Sequence, residues 1–355
     1  MHPSRFLLIP LSLLTACSGP SGTDGGDASP TDAIADVASD TASDAPIDTR
    51  PPTDVSTDGN TVDTPDVGTT DVTGDTGGIV MPGGYGSAWL AFASKRFVEY
   101  EIFLVQRDGT GLVRLTNDPA IDVFPAWSSD GRQLAFASNR MGGVFSIYIQ
   151  DFTDGSLRMI DTHTLARATT PAISPDGMTV AFEGKLDTGT APDIFTIPMA
   201  GGTPTRLTTA GANDSGPVWS PDGATIYFVS NQSGMYDIWA MNVDGTNQRA
   251  ITMNAGVLGH AAVSPDGASI AYARLVSGMI SGIVVRSLSS GTERTVSMEN
   301  DSEPSWSHDG SQLAITSLRS GNPEIYVIDA TTGAMVSTPS PDPALDGTPV
   351  FSPAP

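Results

Sequence analysis

Four aspartates recur at one position of this chain. Asp122, Asp214, Asp301 and Asp346 each stand three residues ahead of a predicted strand. If those strands surround a common axis, the carboxylates gather at one mouth and attract a cation such as calcium, or a basic peptide. In the structural alternative each aspartate accepts from a backbone N–H two residues on and caps its own turn. A second set, Glu101, Asp193, Asp237 and Glu324, directly precedes other predicted strands and reads as solvated strand ends. Histidine chemistry is thinner. His163 and His260 fall in predicted loops and His308 in a turn, with no pair at metal-ligand spacing, so they read as surface residues. Trp127, Trp219 and Trp306 share one position, which suits packing between repeats better than sugar stacking. No catalytic residues are expected.

The elements that must position these residues repeat. Pro125-Ala-Trp-Ser-Ser-Asp-Gly131 returns as Pro171-Ala-Ile-Ser-Pro-Asp-Gly177, Pro217-Val-Trp-Ser-Pro-Asp-Gly223, Ala261-Ala-Val-Ser-Pro-Asp-Gly267 and Pro304-Ser-Trp-Ser-His-Asp-Gly310, and ends in Pro349-Val-Phe-Ser-Pro353. The spacing of 43 to 46 residues is that of a four-stranded propeller blade. Ser-Pro-Asp-Gly is a hairpin turn: proline presets φ and glycine takes the left-handed conformation that rejoins the ladder. β-Branched and aromatic runs such as Ile226-Tyr-Phe-Val229 and Ile325-Tyr-Val-Ile328 supply further strands. The first segment, from Trp89, has strands two to four and lacks strand one, whereas Pro349–Pro353 offers only strand one. Together they complete a sixth blade and remove the open edge. The expected fold is all-β, a six-bladed propeller over 85–355 closed by pairing of the C-terminal strand with the N-terminal blade.

Composition agrees. The 355 residues carry a formal net charge of -23, with 39% hydrophobic and 16% charged residues, 38 glycines and 27 prolines. Short strands and tight turns suit that profile. Phosphate binding needs clustered Lys and Arg, so no nucleic-acid partner is expected. The lone cysteine, Cys17, excludes an intramolecular disulfide. It follows a basic start, the apolar run Phe6–Leu14 and two small residues, the pattern of a secretory signal over 1–17. From 18 to 84, thirteen aspartates face the single cation Arg50 and no aromatic occurs. Such a segment cannot bury enough apolar surface to offset its chain entropy and is expected to be a disordered acidic tether.

Two resemblances add to this. Leu14-Thr15-Ala16-Cys17 resembles the bacterial lipobox, which implies lipidation of Cys17 and a membrane anchor made only of acyl chains. Ser18 after the cysteine implies export to the outer membrane, on its periplasmic or surface face. The run Pro-x-Trp-Ser-Pro-Asp-Gly with (Ile/Leu)-Ala-Phe, Asp-Ile-(Tyr/Trp) and Arg-Leu-Thr resembles the WD40-like repeat of TolB-type propellers. That family implies a monomeric cell-envelope scaffold, without enzymatic activity or resident cofactor, that binds envelope proteins or peptides. The chain departs from TolB in lacking the small α/β domain and in its lipobox. Related propellers also occur in serine peptidases and metal-dependent lyases, which leaves a polysaccharide-binding protein, lyase or hydrolase as the alternative. No Gly-x-Ser-x-Gly nucleophile elbow is present.

Overall fold

The computed structural model describes residues 89–353, apart from 163–164, 188–190, 210 and 278–279. The chain separates into two units, 1–69 and 70–355. The signal, Cys17 and the tether expected over 18–84 lie outside the described residues.

Among the described residues, twenty-four strands, numbered β1 to β24 in chain order, form six four-stranded antiparallel sheets. The first strands of the six blades are β24 (Asp346–Phe351), β4 (Asp122–Trp127), β8 (Leu165–Ile173), β12 (Asp214–Trp219), β16 (Val257–Val263) and β20 (Asp301–Trp306). We call these blades I to VI. Consecutive first strands touch around the whole circle, with β24 lying against both β20 and β4, so the ring is closed. Blade I is the composite expected from the repeat. Its order is β24, β1 (Trp89–Ser94), β2 (Glu101–Gln106), β3 (Val113–Arg114). Leu90 pairs with Phe351 and Ser94 with Asp346.

Each blade is covered on both faces, so its strands need not alternate in polarity. Trp89 to Ala93 are all buried, as are Leu134 to Ala137. Apolar clusters fill the seams: Ile147 and Ile149 of blade II meet Phe182 and Ile197 of blade III, and Leu90 and Phe103 of blade I meet Ile325 and Val327 of blade VI. Two of the three tryptophans serve these seams. The indole N–H of Trp219 donates to Ala172 O of the preceding blade at 3.0 Å, and that of Trp306 to Ala262 O at 3.0 Å. Trp127 instead stacks on Phe152 of its own blade at 5.4 Å.

The turns behave as their sequence requires. In Ser220-Pro-Asp-Gly223, Gly223 has φ of 70°, Ser220 Oγ donates to Asp222 Oδ1 at 2.5 Å, and Asp222 accepts from Ala224 N at 3.0 Å.

Candidate functional site

Because neighbouring strands run antiparallel, the first residues of the first and third strands share one end of every blade with the last residues of the second and fourth. Both recurring acidic sets therefore lie on one face of the ring. Neither is arranged as the sequence suggests. Asp122, Asp214, Asp301 and Asp346 are the first residues of their strands, not residues three positions ahead of them. All four are buried, at 0 to 2% exposure. They do not cap their own turns. Asp122 accepts from Arg140 Nη2 at 2.7 Å, and Asp301 accepts from Arg319 Nη2 with both oxygens at 3.0 Å. Asp346 accepts from Arg96 Nη2 at 2.9 Å. Each arginine belongs to the link after the second strand of the same blade, so each carboxylate is tied within its own blade. Burial pushes Asp122 up, and Asp346 up to about 6, against the pull of their arginines. Asp214 has no such arginine. Gln232 stands where the others have Arg, and burial likewise raises Asp214.

The signal for these partners was present in the sequence. Ser94-Lys-Arg96, Ser138-Asn-Arg140 and Ser317-Leu-Arg319 recur behind the second strand, with Ser230-Asn-Gln232 in the blade of Asp214. It is visible only once the spacing from aspartate to arginine, 18 residues in blades II and VI, is known to bring them together.

The second acidic set is buried too, rather than solvated. Glu101, Asp193, Asp237 and Glu324 are 0 to 5% exposed. Glu101 accepts from Arg114 Nη2 and Thr116 Oγ1, both at 2.6 Å. Asp193 accepts from Arg206 Nη2 at 2.6 Å. The Arg-Leu-Thr motif of the fourth strand exists to meet this acid: its threonine also accepts from the next backbone N–H, as Thr116 does from Ile102 at 2.9 Å. Asp237 instead accepts from Thr252 Oγ1 at 2.8 Å and from the N–H groups of Asn254 and Ala255 at 2.9 Å. Burial pushes Asp237 up, but these bonds outweigh it and hold the carboxyl low. Glu324 accepts from Asn322 Nδ2 at 2.7 Å and is pushed up to about 7 by burial and by the charges of Asp346 and Asp342.

Deeper along the axis, every first strand carries a bulge. At each bulge one residue adopts left-handed φ: Phe124, Thr170, Gly216, Gly259, Glu303 and Thr348, with values of 48 to 69°. Proline follows at five of the six, and His260 follows Gly259. Non-glycine residues pay on the order of 1 kcal/mol for that conformation. Four such residues at one level mark a constrained ring. His260 is therefore not a loop residue. It lies in β16, and its ring meets that of Phe124 edge-on at 5.4 Å. Blades II and V are opposite, so this contact crosses the axis. Gly216 leaves the room: a Cβ there would lie 2.5 Å from the imidazole Cδ2. The ring is half-buried, with part of its surface facing the channel, and desolvation among the surrounding strands lowers its pKa to about 4. Glu303 Oε2 accepts from Thr348 N at 2.9 Å and from Thr316 Oγ1 at 3.1 Å. His308 sits in its turn, and His163 lies outside the described residues. Among the described residues no three His, Cys, Asp or Glu side chains come together to hold a metal ion.

A closed six-bladed ring with an Asp–Arg pair at the head of three first strands defines a propeller of the repeat type read from the sequence. The model of the TolB beta propeller domain matches residues 82–182 and 145–303, and the chain belongs to that family. A protein TolB homolog of Chlorobium chlorochromatii is 34% identical over 132 residues, 37% of this chain and 29% of its own. The chain spans between 29% and 42% of the length of three curated relatives it matches. The crystal structure of TolB from Acinetobacter baumannii superposes with a TM-score of 0.67 at 20% identity, covering 76% of this chain and 68% of that one. An oligogalacturonate lyase in complex with manganese shares the fold at a TM-score of 0.52 and 17% identity, covering 70% of this chain and 73% of its own.

Proposed function

We propose that this chain is a non-enzymatic cell-envelope lipoprotein whose propeller binds protein or peptide partners, in the manner of TolB-type scaffolds. Its organisation in this reading is a signal over 1–17, an acidic spacer over 18–84 and the ring over 85–355. Cys17 supplies the anchor, in the outer membrane.

One observation carries the binding role. Large apolar side chains stand exposed on the face that bears the heads of the first strands. Phe97, Val98, Met141 and Met235 lie in links between second and third strands, and Met253 and Met298 in links between blades. Val98 is 84% and Met253 83% exposed. These side chains stand along the polar rim of one face, and methionine, flexible and polarizable, adapts its shape to varied partners. The axial contact of His260 with Phe124 supports the same reading, since it favours docking across this face over threading a chain through the channel.

Two experiments test it. Cross-linking from photoreactive residues at Met141, Met235 and Met253 in intact envelopes is expected to trap a discrete protein partner. The same probes in the Ser-Pro-Asp-Gly turns of the opposite face are expected to trap none, and equal trapping on both faces would reject the assignment. Cys17→Ala is expected to abolish labelled-palmitate incorporation and leave the precursor uncleaved. Incorporation equal to the parent would reject the anchor.

A further inference from the structure

Blade VI departs from blades I and III at one buried acid. In blades I and III the carboxylate that opens the third strand receives a guanidinium from the fourth strand of the same blade. Arg114 stands opposite Phe103, and Arg206 opposite Phe195. In blade VI, Val327 pairs with Ser337. Continuing that register by one residue places Thr338 beside Tyr326, where the other two blades have arginine. The guanidinium of Arg319 in the same blade lies over the Tyr326 ring at 4.5 Å, but it bonds Asp301 and not Glu324. Glu324 is 5% exposed and its Oε2 is buried without a hydrogen bond of normal geometry, the Asp342 backbone N–H giving the carboxylate only minor support.

Space accompanies the missing group. A cleft of about 320 Å³ is lined by Ser320, Asn322, Glu324, Tyr326, Thr338 and Asp342, with Pro341 and Pro343 at its side. The local charge is unbalanced as well. Arg96 bonds Asp342, Asp346 and Ser340, so one guanidinium serves two carboxylates before Glu324 is counted. Asn322 is committed to Glu324 Oε1 and to the carbonyls of Asp342 and Ala344. The polar inventory of the cleft is thus rich in acceptors and short of a positive donor. A planar guanidinium supplies paired donors to such a site where a point-charge ammonium does not.

We propose that the cleft at Glu324 is a binding site for an arginine side chain of a partner, which takes the place that Arg114 and Arg206 fill in blades I and III. The proposal gives the scaffold reading its recognition chemistry and rests on it. Glu324 and Thr338 sit on the same face as the exposed methionines, so one partner reaches both.

The test is calorimetric titration of the intact chain with the tripeptide acetyl-Gly-Arg-Gly-amide. The matched peptide carries citrulline, which keeps the shape of arginine and removes its charge. Saturable binding of the arginine peptide is expected, at least tenfold tighter than that of the citrulline peptide. Glu324→Gln keeps the volume and is expected to weaken binding at least tenfold. Thr338→Arg restores the in-blade partner, fills the cleft and is expected to do the same. Thermal melts confirm that each variant is folded, and the two act independently. Equal binding of both peptides, no saturable binding by the parent, or parent-like affinity in either folded variant would overturn the proposal. Calcium chloride titrating to saturation with loss in Glu324→Gln, and with no response to the arginine peptide, would overturn it too. Arginine binding without any cross-linked envelope partner keeps the site and rejects the scaffold reading. A cross-linked partner without arginine binding rejects the site alone.

Discussion

At the scale of single residues, the ring separates acids that look alike in sequence. Asp301 and Asp214 hold equivalent positions, but Asp301 shares both oxygens with Arg319, whereas Asp214 has no arginine and keeps a buried oxygen, Oδ1, without a partner. Removing one member of a buried ion pair strands the other charge and costs about 3–5 kcal/mol. Arg319→Met is therefore expected to destabilise the propeller by about that amount, measured by urea unfolding. Asp214→Asn removes a charge that burial already disfavours, and is expected to cost under about 1 kcal/mol or to stabilise. Equal losses in the two variants would show that the arginines do not carry this distinction. The same residues mark what was legible in the site. The recurrence of both acidic sets could be read directly. Their burial could not, because an Asp at a strand head looks solvated until the arginine or Arg-Leu-Thr motif is known to fold over it.

At the scale of elements, closure depends on β24. Pro349 to Phe351 lie between β1 of their own sheet and the first strands of blades II and VI, and Ser352 N donates to Trp89 O at 2.8 Å. Removal exposes an edge strand and uncovers Leu90 and Phe92, both fully buried. Deletion of 349–355 is expected to lower the melting temperature of the whole ring by more than 10 °C and to promote association through the bared edge. A melt within a few degrees of the parent would show that the seam between blades I and VI holds without it. The composite blade was legible in the sequence, because one end lacked a first strand and the other held nothing else. The bulges were not. A period of 43 to 46 residues fixes how many strands there are, but a left-handed residue within a strand leaves no mark when Phe124, Thr170, Glu303 and Thr348 share no side-chain chemistry.

At the scale of the whole molecule, six sheets surround a common axis. His260 reads as a loop residue in sequence, since β16 lacks the proline that marks the other five first strands. The structure stops the channel with its ring. Desolvation holds the half-buried imidazole neutral, with a pKa of about 4. The unfolded chain takes up a proton between about 6.5 and 4 that the folded ring refuses, so this contribution to stability is complete above pH 6.5 and is lost as pH falls through that window. The His260 ring signals are expected not to titrate above pH 5 by NMR. Phe124→Ala admits water and is expected to move the midpoint up toward 6.5. An ordinary midpoint in the parent would show that the two rings do not meet. That meeting also has a mechanical side. A hoop of rigid segments joined at seams deforms most easily by flattening into an oval. A strut across one diameter stiffens the hoop against flattening along that line and leaves the other two diameters, I to IV and III to VI, free to breathe. Whatever docks on the face therefore meets a platform stiffer in one direction than in the others, and that direction is set by one phenylalanine and one histidine.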